Sequence, residues 1–411
     1  MKACLIGEKL SHSYSKEIHE FMGLEYDSIE VKREELEAFL KDSPYEGFNV
    51  TIPYKQDVIK YLDEIDKDTE EIGAVNTIIK KNKKLYGYNT DLFGLELGLK
   101  RIGTSLKGQN VLILGTGGAS KTAYYLSMKN GAKSVNLVSR SGELTYTNVY
   151  LLSDTNVIIN TTPNGMYPHM NDKSLLDLSK FPSITHVYDL IYNPLSTELL
   201  LDAKKLNIPS DNGLYMLVAQ ALKAEELWNV NKDIPVSDVK TINRVYRYIR
   251  LKKANIILEG MPGSGKSTVG RLLSERLSKD YVDVDAVITS RIGMSITDYI
   301  TKNGEEAFRN IESDVIKELS LKNSLIIALG GGSILREENR KCLKKNGIIV
   351  YVKRDNEKLS KRDRPISQAE GIDKIYKERR AIYESFMDFS VDNNTIVNDA
   401  VDEIYQKLNT L

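Results

Sequence analysis

The sequence has few cysteines, no net charge and no long apolar run. Cys4 and Cys342 are the two cysteines of 411 residues, far apart and without neighbouring metal-ligand residues, so free thiols in a reducing compartment are predicted. Lys plus Arg and Asp plus Glu each number 57, a balance that argues against nucleic acid or an anionic membrane as the main partner. No apolar run approaches the about 20 residues that span a bilayer. The chain opens on the strand-like KACLIG (2–7), with no charged leader, so a cytoplasmic protein is predicted. The balanced charge still allows small molecules as partners.

The length and the spacing of apolar runs predict two or three α/β domains. A chain of 411 residues exceeds what one hydrophobic core usually holds. Strand-like runs alternate with helical stretches, which is typical of parallel sheets. The runs form two blocks, at 110–115, 134–140, 157–163 and 186–192, and at 255–260, 281–286, 324–332 and 347–354. Between them, the polar segment 229–252 is predicted to be a partly helical linker, with the boundary near residue 250.

A phosphate-binding loop opens the second block. GMPGSGKST (260–268) follows a strand and precedes a helical stretch, which is the context of a P-loop. Its glycines leave room for backbone amides around phosphate oxygens, Lys266 neutralises phosphate charge, and Ser267 offers a hydroxyl to Mg²⁺. The second block is therefore predicted to bind a nucleotide. The predicted nucleotide-binding residues are Gly263, Ser264, Gly265, Lys266, Ser267 and Thr268.

Further motifs follow the P-loop in a fixed order. They are YVDVDAVI (281–288), GMSITDYITKNGEEAFRNIE (293–312), ALGGGS (328–333), RDRPIS (362–367) and ERRAIYES (378–385). The spacing of Asp283 and Asp285 predicts that both project from one face of a strand. The ordered set resembles shikimate kinases over residues 254–411, and the resemblance implies a P-loop kinase domain at 253–411.

The resemblance implies roles for particular residues of this block. Asp285 would hold the acceptor hydroxyls and assist deprotonation, and Asp283 would support Mg²⁺ through water. Gly330, Gly331 and Gly332 would let the backbone approach the substrate.

The same resemblance assigns the arginines. Arg309, oriented by Glu312, and Arg379 would clamp the substrate carboxylate, because guanidinium forks suit that planar group. The adjacent Arg380 is the alternative to Arg379. Arg364 would act from a closing lid, shortened in this chain, and stabilise charge on the transferring phosphoryl group.

A second glycine turn lies in the first block. VLILGTGGAS (111–120) predicts a strand that enters a dinucleotide-binding turn, with Ser120 at the third small position. After the next strand stand Ser139, Arg140 and Ser141 instead of an acidic residue, and this favours NADP over NAD. The residues predicted to contact the pyrophosphate are Gly115, Gly117, Gly118, Ala119 and Ser120.

The first block also predicts a reduced domain. Only 16 residues separate Arg140 from Val157, whereas a strand–helix–strand crossover takes about 30. A crossover helix, with or without a strand, is therefore expected to be lost or compressed.

Short motifs around this turn carry a second resemblance. They are LSHSYS (10–15), FNVTIPYK (48–55), GAVNT (73–77), YNTDLFG (88–94), NTTPNGM (160–166), YDLIYNP (188–194) and GLYMLVAQAL (213–222). The series resembles shikimate dehydrogenases over about residues 1–228. It implies a substrate domain at 1–100, to which helices at 213–228 return, and a Rossmann-like NADP-binding domain at 101–212.

The dehydrogenase resemblance also implies site residues. Lys55 and Asp91 would form the catalytic pair, since a lysine with the ordinary pKa of about 10.4 is protonated at neutral pH and can donate a proton. The residues that would bind the substrate are Ser13 and Ser15 at its carboxylate, Thr51, Asn76 and Gln220 at its ring hydroxyls, and Tyr192 near the nicotinamide.

Together the two resemblances imply a bifunctional enzyme of aromatic amino acid biosynthesis. It would reduce 3-dehydroshikimate with NADPH and phosphorylate shikimate with ATP and Mg²⁺. Two alternatives stay open: a quinate-using dehydrogenase in front of the kinase, or one half kept as a binding or regulatory module. Monomer and homodimer are both compatible with the sequence.

Overall fold

The computed structural model describes residues 1–10, 13–229, 236–359 and 372–410, which form two compact units, Met1–Ile249 and Arg250–Leu411. In these ranges no helix has the length and apolar character to cross a membrane.

Unit 1 begins with a mixed sheet. Its strands are β1 (Ala3–Gly7), β2 (Tyr26–Glu30), β3 (Gly47–Val50), β4 (Glu64–Ile65), β5 (Thr77–Lys81) and β6 (Lys84–Tyr88), and its helices are α1 (Ser15–Phe21), α2 (Leu36–Asp42), α3 (Lys67–Ile72) and α4 (Thr90–Arg101). The strand order is β2-β1-β3-β5-β6-β4, with β5 antiparallel to both of its neighbours. Every residue of β1 is buried, as expected of a central strand covered on both faces.

A parallel sheet forms the other half of unit 1. Its strands are β7 (Asn110–Leu114), β8 (Ser134–Val138), β9 (Val157–Asn160), β10 (His186–Asp189) and β11 (Ser210–Asp211), in the order β11-β10-β9-β7-β8. Its helices are α5 (Gly118–Lys129) and α6 (Glu198–Lys205). The crossover from β8 to β9 holds a 3₁₀ turn, Val149–Leu151, whose Val149 is buried in the same cluster as Leu112 and Val138. The predicted compression of this crossover is confirmed, and one short turn covers the sheet face in place of a full helix.

Two long helices complete unit 1. Helix α7 (Leu214–Leu227) packs along α4, where Gly94 lets the backbone carbonyl of Met216 approach closely. The chain then returns to the first sheet, since Trp228 Nε1 donates a hydrogen bond to the carbonyl oxygen of Ile78 at 3.1 Å. Helix α8 (Val239–Lys253) lies in the segment predicted as a linker. Its Ile242, Val245, Tyr246 and Ile249 are buried in one cluster with residues of α1 and α7, which places 239–249 in the core of unit 1.

Unit 2 is a five-stranded parallel sheet flanked by helices. Its strands are β12 (Asn255–Glu259), β13 (Asp280–Asp283), β14 (Leu325–Ala328), β15 (Gly347–Lys353) and β16 (Phe389–Asp392), in the order β13-β14-β12-β15-β16. The described helices are α9 (Lys266–Leu277), α10 (Val284–Ile292), α11 (Ile296–Asn303), α12 (Glu305–Ser320), α13 (Glu337–Asn346), α14 (Ile372–Phe386) and α15 (Val397–Thr410). The central strand β12 is buried along its whole length and leads into the glycine-rich loop at the carboxyl edge of the sheet. Ligands bind at such an edge in open parallel sheets.

Candidate active sites

A lysine–carboxylate pair lies at the centre of unit 1. Lys55 Nζ donates to Asp91 Oδ2 at 2.6 Å, and the two side chains are 19% and 11% exposed. Lys55 stands in the loop after β3, and Asp91 lies in the first turn of α4, which Asn89 caps by accepting from the backbone N of Leu92. A carboxylate in the first turn is also favoured by the helix dipole. The structure therefore brings together two residues that the sequence separates by 36 positions.

Polar side chains that could hold hydroxyl groups form a buried cluster between Asn76, directly before β5, and helices α4 and α7. Asn76 Nδ2 donates to Thr90 Oγ1 at 3.0 Å and to Gln220 Oε1 at 3.4 Å. Thr51 is half-buried and follows Val50, whose backbone N donates to the carbonyl oxygen of Asn76 at 2.8 Å. Sequence reasoning missed Thr90, although it precedes Asp91 in the motif that identified the catalytic pair.

The predicted carboxylate-binding serines lie together. Ser13 Oγ donates to Ser15 Oγ at 3.1 Å, and Ser15 is the buried first residue of α1. Tyr192 lies against them: burial raises its pKa to about 12, and a hydrogen bond with Ser13 partly offsets that rise. The ring of Tyr192 also contacts Tyr14, with centroids 5.0 Å apart. This arrangement offers three hydroxyl groups to an anion.

The glycine turn after β7 has the open shape that a dinucleotide requires. Gly115 has a φ of +106°, and a Cβ there would lie 2.9 Å from Thr161 Oγ1. Gly117 precedes α5, and nothing lies within 4 Å of a Cβ built on it. Ser120, in place of a third glycine, donates its hydroxyl to the carbonyl oxygen of Gly117 at 2.6 Å and ties the turn to the helix. Ala119 lies between them in the first turn of α5.

This turn adjoins the lysine–carboxylate pair. A Cβ built on Gly118 would lie 4.0 Å from Cβ and Cδ of Lys55. A pyrophosphate at the amino end of α5 would therefore place its dinucleotide beside Lys55.

The residues predicted to select NADP follow β8 on the same carboxyl edge of the sheet. Arg140 is exposed, and the hydroxyl of Ser139 donates to the carbonyl oxygen of Ser141. Tyr146 lies close enough for the Arg140 charge to counter the rise that burial produces in the tyrosine pKa. An accessible guanidinium among hydroxyl groups fits a 2′-phosphate.

The P-loop of unit 2 has the backbone that its glycines permit. Gly263 and Gly265 have φ values of +90° and +95°, and Asn393 lies where a Cβ of Gly265 would be. Lys266 is buried and donates to the carbonyl oxygens of Gly260 and Met261 at 2.9 and 3.0 Å. Asn393 Nδ2 also donates to the buried Ser264 carbonyl oxygen at 2.7 Å. Sequence reasoning missed Asn393, which follows β16 without a recognisable motif.

The expectation that Asp283 and Asp285 share one strand face is wrong. Strand β13 ends at Asp283, which caps α10, and Asp285 lies in the first turn of that helix. Asp283 Oδ1 accepts from the backbone N of Asp285 at 3.1 Å, and Oδ2 accepts from Ser267 Oγ at 2.8 Å and from Tyr281 Oη at 3.0 Å. A cap, instead of strand alternation, sets the geometry. Ser267 and Asp283 nevertheless meet, and these oxygen donors suit Mg²⁺.

Asp285 faces the glycine-rich segment after β14. A Cβ on Gly330 would lie 2.8 Å from Asp285 Oδ1. Asp285 is exposed to solvent, and partial desolvation by the surrounding protein raises the pKa of its carboxyl group to about 6, with smaller contributions from Asp283 and Glu312. The positive charge of Lys266 opposes this rise in the pKa of Asp285.

Two glutamates hold Arg309. Its Nη1 donates to Glu312 Oε2 at 2.8 Å, and its Nε and Nη2 donate to Glu305 Oε1 at 3.2 and 3.0 Å. Glu312 is fixed in turn by Ser333 Oγ at 2.6 Å. A Cβ on Gly332 would lie 2.6 Å from Arg309 Nη2, so glycine at this position allows the backbone to pack directly against the guanidinium.

The two adjacent arginines of α14 have different surroundings. Arg379 is buried and its Nη1 donates to the carbonyl oxygen of Gly331 at 3.0 Å. Arg380 is exposed and its Nε donates to Glu384 Oε1 at 2.8 Å. Arg379 therefore suits the clamp better than Arg380 does. Arg364 lies outside the described residues.

One buried acid beneath the P-loop was not anticipated. Glu259, the last residue of β12, is 1% exposed, and neither carboxyl oxygen has a hydrogen-bond partner within the described ranges. Burial raises its pKa to about 9, although Lys266 opposes the shift.

Comparisons with known proteins identify the family that each unit resembles. The model of the shikimate dehydrogenase substrate binding domain matches residues 5–78, and the shikimate kinase model matches residues 262–409. The shikimate dehydrogenase (NADP⁺) of Caldicellulosiruptor saccharolyticus is 36% identical over 256 residues, covering 55% of this chain and 91% of the relative.

Solved structures resemble the first unit in the same way. Shikimate dehydrogenase 1 from Peptoclostridium difficile matches with a TM-score of 0.55 and 36% identity, covering 61% of this chain and 98% of that one. The shikimate 5-dehydrogenase of Thermus thermophilus, solved with NADP(H) and shikimate, matches with a TM-score of 0.52 and 28% identity, covering 60% and 99%. The chain thus belongs to the shikimate dehydrogenase family through its first unit and carries a shikimate kinase domain in its second.

Proposed function

We propose that this chain catalyses two consecutive reactions on one metabolite. Unit 1 reduces 3-dehydroshikimate to shikimate with NADPH, and unit 2 phosphorylates the 3-hydroxyl of shikimate with ATP and Mg²⁺. The observation that carries the proposal is the presence, in one chain, of the Lys55–Asp91 pair beside a dinucleotide turn and of Asp285 next to Asp283, which accepts a hydrogen bond from Ser267 of the P-loop. Neither Cys4 nor Cys342 forms a disulfide, which agrees with a cytoplasmic enzyme.

In unit 1, the chain's own residues orient the substrate and move one proton. NADPH, when bound at the glycine turn, supplies the hydride for the carbonyl carbon. The ammonium group of Lys55 donates a proton to the carbonyl oxygen as it becomes a hydroxyl, while Asp91 holds the lysine in place at 2.6 Å. Ser13 and Ser15 bind the carboxylate, and Thr51, Asn76 and Gln220 bind ring hydroxyls. Because the lysine contacts both the carboxylate and the turn, reduction takes place where the two halves of unit 1 meet.

In unit 2, the residues position a hydroxyl against the terminal phosphate of ATP. Asp285 accepts the proton of the acceptor hydroxyl, and Lys266 neutralises charge on the phosphates. Ser267 would hold Mg²⁺, with Asp283 supporting the ion through water, and the ion would neutralise charge that develops on the phosphate. Arg309 and Arg379 hold the substrate carboxylate, and the two glutamates on Arg309 fix its orientation.

The proposal is tested by substitutions that separate the two activities in the full-length chain. Lys55→Ala should lower the kcat of NADPH oxidation by 3-dehydroshikimate at least about a hundredfold, the usual contribution of a positioned acid, and leave phosphorylation of shikimate unchanged. Lys266→Ala should have the opposite effect. Lys100→Ala and Lys374→Ala, at exposed lysines paired with Glu96 and Glu378, are the matched controls.

Three outcomes distinguish the proposed function from its alternatives. Loss of both activities from one substitution in a folded chain would contradict two independent sites. A wild-type chain that phosphorylates shikimate but does not oxidise NADPH would show that unit 1 is a binding module. Faster oxidation of quinate than of shikimate by NADP⁺ would show that quinate, and not shikimate, is the substrate of unit 1.

A further inference from the structure

A buried acid–base pair in unit 1 takes no part in the proposed mechanism. His19 of α1 and Glu225 of α7 are both 0% exposed, and His19 Nδ1 lies 2.6 Å from Glu225 Oε1. The imidazole stacks on Tyr26 with ring centroids 4.1 Å apart. The second carboxyl oxygen of Glu225 has no partner within the described ranges. Burying an imidazole and a carboxyl group costs folding free energy unless hydrogen bonds compensate for the lost water.

The neighbouring Asn49 shows which ring nitrogen of His19 donates to it. The amide nitrogen of Asn49 faces the carbonyl oxygen of Asn76, which can only accept, so its Oδ1 points to His19 and Tyr26. His19 Nε2 therefore carries a hydrogen and donates to Asn49 Oδ1 at 3.2 Å. The other ring nitrogen, His19 Nδ1, makes the 2.6 Å contact with Glu225 Oε1, so the imidazole is held between Glu225 and the side chain of Asn49.

From Asn49 the hydrogen bonds continue to the hydroxyl-binding residues. Asn49 Nδ2 donates to Thr77 Oγ1 at 3.2 Å, and Thr77 Oγ1 donates to Asn76 Oδ1 at 3.2 Å. Asn76 Nδ2 then reaches Gln220 Oε1 at 3.4 Å. All these residues are buried.

The chain of contacts closes on itself through α7. Gln220 and Glu225 both belong to this helix, so the series His19, Asn49, Thr77, Asn76, Gln220 and Glu225 forms a ring. In a closed ring, the spacing between Asn76 and Gln220 depends on every other contact. A change on the far side therefore moves the groups that meet the substrate.

We propose that the His19–Glu225 pair positions Asn76 and Gln220 for binding of the substrate's ring hydroxyls, acting through Asn49 and Thr77. The inference rests on the proposed dehydrogenase function of unit 1. The pair touches neither substrate nor cofactor, and its effect falls on shikimate binding and not on the hydride or proton steps.

The test uses the full-length chain and the double variant His19→Phe plus Glu225→Leu. Replacing both partners by apolar groups of similar size avoids a buried unpaired charge, so the fold should be retained. The Kd of shikimate at unit 1, taken from initial-rate kinetics of NADP⁺ reduction, to which the kinase site does not contribute, and its KM should rise about tenfold, while the KM of NADP⁺ and kcat stay within about twofold; tenfold corresponds to the about 1.4 kcal/mol of one net hydrogen bond. Glu225→Gln is the conservative control, because its amide can donate to His19 Nδ1 and leave Nε2–H on Asn49.

The outcomes separate this inference from the proposed function. An unchanged Kd of shikimate in the double variant, or equal losses for shikimate and NADP⁺, would overturn the positioning role. A Glu225→Gln variant as weak as the double variant would also overturn it, since the hydrogen bonds would then not suffice. If the double variant does not fold, His19→Gln, which keeps an amide donor near Asn49, should bind shikimate more tightly than His19→Leu; equal affinities would contradict the proposal. A wild-type chain that neither binds nor oxidises shikimate in unit 1 would instead refute the proposed function.

Discussion

The buried Glu259 beneath the P-loop makes the stability of unit 2 depend on pH. Its pKa is about 9 in the folded chain, against an ordinary value of 4.5. Between pH 4.5 and about pH 9, folding therefore takes up a proton at Glu259. The free energy of unfolding falls as pH rises through that window. Each pH unit in the window costs about 1.36 kcal/mol. At pH 7, two and a half units above the ordinary value, the cost is about 3 kcal/mol.

Glu259→Gln removes this cost, because an amide of the same shape does not titrate. At pH 7 we expect unit 2 of the variant to be more stable by about 3 kcal/mol, which for a domain of this size raises Tm by about 6–12 °C. At pH 5 the gain should shrink below about 1 kcal/mol. Scanning calorimetry of the full-length chain measures both, with the transition of unit 2 identified as the one that ATP shifts.

The control is Glu384→Gln, at an accessible glutamate of α14 paired with Arg380, which should change stability by at most about 0.5 kcal/mol at either pH. The reasoning is refuted if Glu259→Gln gives the same shift at pH 5 and pH 7, because Glu259 would then not change its protonation on folding. If the variant were less stable than the wild type at pH 7, hydrogen bonds of the carboxyl group would have to stabilise unit 2 by more than the proton uptake costs.

Other predictions concern catalysis and cofactor choice. Because Asp285 accepts a proton as a carboxylate and its pKa is raised to about 6, kcat/KM of the kinase should fall about tenfold per pH unit below pH 6, and an inflection near pH 4 would contradict this. Tyr281→Phe removes a donor to Asp283 Oδ2 and should weaken binding of Mn²⁺ with ADP, measured by electron paramagnetic resonance, about three- to tenfold, without changing the shikimate Kd. Arg140→Ala should raise the NADPH KM about 10–100-fold while leaving the NADH KM nearly unchanged, and equal losses for both would exclude contact with the 2′-phosphate.

The local features of the sequence predicted the fold class well. Alternating apolar runs and helical stretches led to parallel sheets, since both sides of such strands are buried, as β1 and β12 are. Glycine turns after β7 and β12 were recognisable because backbone shape there depends on a missing Cβ. The short interval between Arg140 and Val157 predicted the compressed crossover, which became a 3₁₀ turn.

Some residues could not be placed from local pattern. Asp283 and Asp285 looked like two residues of one strand, yet the strand ends where Asp283 finds two backbone N–H groups to cap. Arg379 and Arg380 are equivalent in sequence, and only the packing of α14 turns one inward to Gly331 and the other outward to Glu384.

The sequence by itself determined which chemical groups this protein has and in what order: two phosphate-binding turns, a lysine with its carboxylate, and paired arginines. These follow from residue type and short spacing, which act over a few bonds. Only the tertiary structure decided which groups meet, as when α7 brings Gln220 to Asn76 and Glu225 to His19. Such contacts join positions more than a hundred residues apart, and they depend on how buried faces pack, which no short stretch of sequence specifies.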